Sequence, residues 1–372
     1  MNQSAKLLAD LKPIDYSGRP AKVRNVLPED LDGLVISHLT NVRYLTGFTG
    51  SNGLVYLTRD SLIFITDGRY KTQSALELGN AGIEAEILVT SQGEGPLNFL
   101  EKKFSKNDKI GLEADSLSWS GANSYIDKFT SNSFVPTSGV IESVRMVKES
   151  GEVDRIRAAC RIADDALALT LPMLAEFPTE KEFARALDRK MIDLGAQGNS
   201  FDTITACGSR GALPHAQPSD AKIVPNQMIV IDFGCIVDGY CSDMTRTVSV
   251  GQPDDKQTEM YEQVIKSQSQ GSKVVKAGVQ LSEIDNACRT TLAEFGVDQY
   301  FTHSTGHGVG LDIHEQPWVR AAGDDKTKSG HILTVEPGIY IEGVAGVRIE
   351  DTLHVTADGS EVLTTAPKQL VI

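Results

Sequence analysis

From residue 1 to about residue 140 the chain reads as alternating strands and helices, with short apolar runs bounded by Gly, Asp and Asn. DGLVISHL (32–39), NGLVYLT (52–58) and DSLIFITD (60–67) have strand length, and DKIGLEA (108–114) and SFVPTSG (133–139) read the same way. With helices between the strands, this stretch is expected to form an α/β domain. From Gly151 the period changes. GEVDRIRAACRIADDALALTLPML (151–174) places apolar residues at helical spacing. Pro178 and Thr179 open a second helix through KEFARALDRKMIDLGA (181–196), with Thr179 and Glu182 spaced as a capping box. A boundary within 142–150 follows, giving domains 1–145 and 146–372.

The second domain repeats itself. TEMYEQVIKSQSQGSKVVKAG (258–278) reads as another long helix, and EIDNACRTTLAEFG (283–296) as a shorter one capped by Ser282 and stopped at Gly296. QMIVIDFG (227–234) lies over HILTVEPG (331–338) at an offset of 104, and SDMTRTV (242–248) over IEDTLHV (349–355) at 107. Two related halves, each with two helices and a strand pair, predict an α+β domain with internal pseudo-twofold duplication. The alignment sets Asp232 against Glu336 and Asp243 against Glu350.

Those four acids sit where apolar strands end. If the halves pack about a pseudo-twofold axis, four carboxylates converge. Without counter-ions they repel one another and take up protons; cations are the simplest remedy. Three of the seven histidines, His303, His307 and His314, fall within HSTGHGVGLDIHE (303–315), interleaved with Gly306, Gly308 and Gly310. That spacing argues against a helix and for close backbone approach, as a metal or substrate site needs. His215, in the Pro-rich GALPHAQPS (211–219), is a further candidate.

Composition narrows the function without naming it. Forty per cent hydrophobic and 23% charged residues fit an ordinary globular protein. The net charge of −14, with no basic block, disfavours nucleic acid or an anionic membrane as partner. No run approaches the ~20 apolar residues of a membrane span. The opening MNQSAKLLADLKPIDYSGRP lacks an apolar signal core. Five scattered cysteines suit no disulfide framework. A cytoplasmic protein is expected. Cys235 and Cys241 lie near the acids but match no zinc spacing, and are expected to be buried, inert thiols.

The set Asp232, Asp243, His307, Glu336 and Glu350 resembles the metal site of the pita-bread metallopeptidases, the family of methionine aminopeptidase, aminopeptidase P and prolidase. The motifs are IDFGCIVDGYCSDMTRT (231–247), HSTGHGVGLDIHE, TVEPGIY (334–340) and GVRIEDT (346–352). NVRYLTGFTGSNG (41–53) and ITDGRY (65–70) resemble the ribonuclease H-like amino-terminal domain of aminopeptidase P and prolidase. The resemblance implies that Asp243 and Glu350 bridge two divalent ions, that Asp232 binds the first, and that His307 and Glu336 bind the second. Mn²⁺ is the expected metal, with Co²⁺ or Zn²⁺ as alternatives. It implies Glu336 as general base and acid, His303 and His314 on the carbonyl and oxyanion, and His215 on the substrate side. Arg348 is either a partner of the acids or a surface charge.

The implied reaction removes an N-terminal residue followed by proline, as aminopeptidase P does. Relatives of this kind form dimers, so a homodimer is expected. Prolidase, acting on dipeptides, is the near alternative. Some dipeptidases of the family carry HE-x-P-R; here HEQPWVR (314–320) puts Trp318 in place of that Arg, with Arg320 two residues on. Creatinase shares the fold without metal, and other relatives are non-enzymatic binding modules. The complete ligand set argues against both.

Overall fold

The computed structural model describes residues 3–91 and 95–372, with residues 3–5 as backbone alone. Ile14–Arg145 forms one compact unit; Met1–Pro13 and Met146–Ile372 form the other. The leading segment therefore goes with the second unit, not with the first as its place in the sequence suggests. The reason is apolar. Leu7, Leu8 and Leu11, in and just after the helix Gln3–Ala9, pack against the second unit's core.

In the first unit all five expected strands form, joined by a sixth, Glu86–Thr90. The sheet runs Glu86–Thr90, Leu62–Asp67, Leu54–Thr58, Gly33–Ile36, Lys109–Glu113, Ser133–Thr137. The first three strands in sequence pair antiparallel, and the outer pairings are parallel. Pro136 lies in the edge strand Ser133–Thr137, where a missing backbone N–H can be tolerated.

The second unit is the expected duplication. Each half runs helix, helix, strand, strand. Ser150–Thr170 and Glu180–Asp193 lead to Met228–Phe233 and Met244–Ser249; Asp255–Val274 and Leu281–Glu294 lead to Ile332–Val335 and Asp351–Val355. The strands form a three-stranded and a five-stranded sheet. Thr179 and Glu182 make the capping box expected of them. The matching helix starts earlier than expected: Gln280, not Ser282, is its N-cap, in a capping box with Glu283. A glutamine can accept from the N3 backbone as serine does, and that places Leu281 inside the helix, buried.

Each half has its own core. Phe183, Leu187 and Met191 bury one helix face against Ile229, Ile231 and Phe233. Ile284, Cys288 and Leu292, each 101 residues on, bury the other against Leu333, Val335 and Leu353. The i, i+4, i+8 spacing is the same in both helices. No helix among the described residues is long and apolar enough to cross a membrane.

Leu187 and Leu292 have no exposed surface. Leu187→Ala and Leu292→Ala are each expected to cost about 2–5 kcal/mol of stability. Urea denaturation measures this; a loss below about 1 kcal/mol at either site would mean that its half does not depend on that core.

Candidate metal centre

The strand ends bring the candidate ligands together. Asp232 is the penultimate residue of Met228–Phe233 and pairs in register with Thr245. Asp243 immediately precedes Met244–Ser249, Glu336 immediately follows Ile332–Val335, and Glu350 immediately precedes Asp351–Val355. His307 is the middle residue of the short strand Gly306–Gly308. A Cβ on Gly306 would run into the Thr334 carbonyl, and one on Gly308 into the Gln316 carbonyl. The glycines thus let the histidine strand lie tight between its neighbours. Gly310 similarly leaves room for the Glu315 carboxylate.

Asp243, His307 and Glu350 each offer a ligand atom within a span of 4.8 Å, and all three are buried. His307 Nε2 stands 3.4 Å from Asp243 Oδ2 and 3.5 Å from Glu336 Oε1. On its other side, Nδ1 lies 3.0 Å from the Gly308 carbonyl, which can only accept. Nδ1 therefore carries the ring hydrogen, and Nε2 presents its lone pair to the acids. Burial is the main reason that the His307 pKa falls to about 4, with the charge of His314 adding to it. The ring is neutral, as a ligand must be.

The acids are pushed the other way. Burial first, then Glu350, Asp232 and Glu336, raise the Asp243 pKa well above the usual carboxylate range. Burial followed by Glu336 and Asp232 does the same to Glu350. Glu336 is pushed up to about 8, chiefly by burial, with Arg348 opposing and Asp232 adding. Among the described residues, Asp232 Oδ1 and Glu350 Oε1 are buried oxygens without a hydrogen-bond partner. Such atoms are costly to bury unmet. A carboxylate-rich pocket with an imidazole lone pair and unmet oxygens suits hard or borderline divalent cations.

Arg348 is a buried partner of the acids rather than a surface charge, at 3% exposure. Its Nη2 donates to Asp232 Oδ2 at 2.5 Å, its Nη1 to Tyr340 Oη at 2.8 Å, and its Nε to Thr245 Oγ1 at 3.1 Å. Thr245 in turn donates to Glu350 Oε2 at 2.8 Å. Thr334 Oγ1 accepts from the His307 backbone N–H at 3.1 Å and lies 3.3 Å from Glu336 Oε1. Sequence reasoning missed Tyr340, Thr245 and Thr334. Thr245 and Thr334 stand two residues from Asp243 and Glu336 in the chain, and Tyr340 four from Glu336, which was the one available signal.

The remaining histidines differ from one another. His314 is exposed and meets the His307 ring edge-on, with centroids 4.4 Å apart. His215 is exposed too, and its charge disfavours protonation of both His303 and His314. His303 is occupied. Its Nδ1 lies 2.8 Å from the Ser304 carbonyl, and its Nε2 accepts from Tyr340 Oη at 2.9 Å. The ring has no nitrogen left for a carbonyl unless Tyr340 gives way, which departs from the role expected of it. The five cysteines are buried and unpaired, and burial raises the thiol pKa of both Cys235 and Cys241.

A model of metallopeptidase family M24 matches residues 154–357, and one of the creatinase/prolidase N-terminal domain matches 21–147. The chain is 34% identical to a Pyrococcus horikoshii protein named Xaa-Pro dipeptidase, over 92% of this chain and 95% of that protein. Among solved structures it resembles Xaa-Pro dipeptidase from Bacillus anthracis, with a TM-score of 0.90, 36% identity, and coverage of 95% of this chain and 99% of that one. It also resembles X-Pro aminopeptidase from Thermotoga maritima, with a TM-score of 0.85, 33% identity, and coverage of 94% and 100%.

The raised acid pKa values fix how metal, pH and stability are linked. Without metal, the folded chain holds protons that the unfolded chain loses above pH ~4, so its stability falls as pH rises toward about 8, where Glu336 titrates. Metal replaces those protons. The stability gained on adding Mn²⁺ to chelator-treated protein is therefore expected to grow from pH 5 to pH 8. Thermal unfolding at both pH values reads it; a gain independent of pH would contradict the electrostatics described here.

Proposed function

The chain belongs to metallopeptidase family M24, and we propose that it hydrolyses the bond before proline in short Xaa-Pro peptides, dipeptides among them. The observation that carries this reading is the convergence of Asp243, His307 and Glu350 on one small volume, with Glu336 3.5 Å from the His307 ring. Relatives named for Xaa-Pro cleavage, 33–36% identical over most of the chain, support the substrate class. Two of those three are named dipeptidases. That favours dipeptides over the longer peptides suggested by Trp318 in the HE-x-P-R position.

Asp232, Asp243, His307, Glu336 and Glu350 would hold two divalent ions; four carboxylates and one imidazole suit Mn²⁺, Co²⁺ or Zn²⁺, and the family resemblance favours Mn²⁺. Such ions supply Lewis acidity, polarising the scissile carbonyl and lowering the pKa of an attacking water to about 7. Glu336 takes the proton from that water and passes it to the leaving nitrogen, acting as base and then as acid. His314, exposed beside His307, donates to the carbonyl oxygen as negative charge builds there, and His215 lines the substrate side. Arg348 fixes one oxygen of Asp232 and leaves the other free to bind. His303 and Tyr340 hold Arg348 in place from behind. The proline nitrogen has no N–H to offer, so recognition falls on the ring and the chain ends instead.

Chelator-treated protein with and without added Mn²⁺, assayed on Ala-Pro and Ala-Pro-Ala, tests the reading. Mn²⁺-dependent release of alanine from Ala-Pro is expected. Cleavage of Ala-Pro-Ala alone would return the chain to the aminopeptidase specificity, and cleavage of neither would defeat the proposal. Glu336→Gln is expected to lower kcat by at least about 100-fold, the usual scale of a lost acid–base group.

A further inference from the structure

The polar atoms of Glu350 are fixed, with one exception. Its backbone N–H donates to the Thr245 carbonyl at 3.1 Å. Its own carbonyl accepts from Arg246 Nη1. Its carboxylate Oε2 accepts from Thr245 Oγ1 at 2.8 Å. The exception is Oε1, buried and without a hydrogen-bond partner among the described residues. That atom is left to bind, and its direction depends on the groups that hold the others.

Arg246 holds the ligand from its main-chain side. It is 1% exposed. Each N–H of its guanidinium finds an acceptor. Nη1 donates to the Thr245 carbonyl at 3.0 Å and to the Glu350 carbonyl. Nη2 donates to Asp351 Oδ1 at 2.9 Å and to the Ala366 carbonyl at 2.9 Å, and Nε donates to that same carbonyl at 3.1 Å. The fork therefore joins the strand Met244–Ser249, the start of the strand Asp351–Val355, and the carboxyl-terminal segment. Burying a charged pair is costly, and apolar side chains of similar volume often serve stability as well. They cannot fix carbonyls on both sides of a ligand, as a planar guanidinium can.

Residues 363–368 hold this fork in place. Beyond the Ala366 carbonyl, Thr364 Oγ1 donates to Asp351 Oδ1 at 3.0 Å, and the Lys368 ammonium pairs with Asp351 Oδ2. The segment is itself tied down. Asp164, in the helix Ser150–Thr170, accepts from the backbone N–H groups of Thr365 and Ala366 at 2.8 Å each and from the Thr365 hydroxyl at 2.7 Å. The segment lies outside the 154–357 stretch that carries the family match.

We propose that Arg246 is a positioning residue for Glu350, and that residues 363–368, by holding Arg246 and Asp351, set the affinity of the metal centre without supplying a ligand to it. The proposal rests on the reading above that Glu350 binds metal. It makes the last segment of the chain a working part of the catalytic unit. A side chain that orients a ligand from behind is worth about 10–100-fold in metal affinity.

Mn²⁺ titration of the chelator-treated intact chain, with free Mn²⁺ read by electron paramagnetic resonance, tests this by binding alone. Arg246→Lys keeps the charge and loses the fork, and is expected to weaken Mn²⁺ binding at least about ten-fold. Lys368→Met alters a side chain that is 29% exposed, so it remains informative should the first variant fail to fold. It is expected to weaken binding about three-fold alone and no further in the Arg246→Lys background, because neighbours that act through one residue do not add. Thermal unfolding of each metal-free variant reads stability separately. Wild-type Mn²⁺ affinity in either single variant would overturn the proposal, whatever the unfolding temperatures. So would an undiminished effect of Lys368→Met in the Arg246→Lys background. A wild type that binds Mn²⁺ and cleaves no Xaa-Pro bond would defeat the functional reading and leave the positioning role standing. A wild type that binds no Mn²⁺ would defeat both.

Discussion

Repulsion among buried carboxylates is the constraint that the catalytic unit is built around. Asp232, Asp243, Glu336 and Glu350 share one pocket, and burial and mutual charge push three of them toward the protonated form. Among the described residues Arg348 is the cation that bonds to their carboxylates, through Asp232. One guanidinium cannot neutralise four acids, and two of their oxygens remain unmet. A fold that ends four strands this way is stable and useful when multivalent cations complete it. The neutral His307, its lone pair turned inward by the Gly308 carbonyl, is a ligand suited to the same cations.

The duplication explains how a chain can bring such a group together at all. Each half is a helix pair packed on a strand pair with its own core, and each contributes two acids at strand ends. Packing does the positioning. Phe183, Leu187 and Met191 in one half, and Ile284, Cys288 and Leu292 in the other, anchor matching helices. The two sheets then meet through Thr245, whose hydroxyl accepts from Arg348 and donates to Glu350. His307 departs from the symmetry in residue and not in strand: Gly306–Gly308 answers Ile204–Cys207, which pairs antiparallel with Met228–Phe233 in the first half. It lies tight between its neighbours because Gly306 and Gly308 lack side chains.

Much of this was legible in the sequence because it is periodic or local. The apolar runs, the Thr179–Glu182 box and the repeat offsets each depend on residues close together in the chain. The five candidate ligands stood out because their types and order resemble a known metal site. Tyr340, Thr245 and Thr334 were not, since a hydroxyl on a strand has no pattern of its own until the partner strand is in register. The strand Glu86–Thr90 was missed because it is a half-buried edge with an acid at its start. The packing of Leu7, Leu8 and Leu11 on the second unit's core depends on tertiary contacts that no local pattern records. His303 illustrates the reverse case. Its spacing suggested a substrate contact, and only the arrangement of Ser304 and Tyr340 shows that both ring nitrogens are spoken for.

The central claim is that the converging acids exist to hold cations. Equilibrium dialysis of the intact chain against Mn²⁺ at pH 8, with elemental analysis of the protein side, tests it most directly. Two Mn²⁺ per chain are expected in the wild type, and loss of both in Asp243→Asn. No retained metal in a folded wild-type chain, or full retention in the variant, would contradict it.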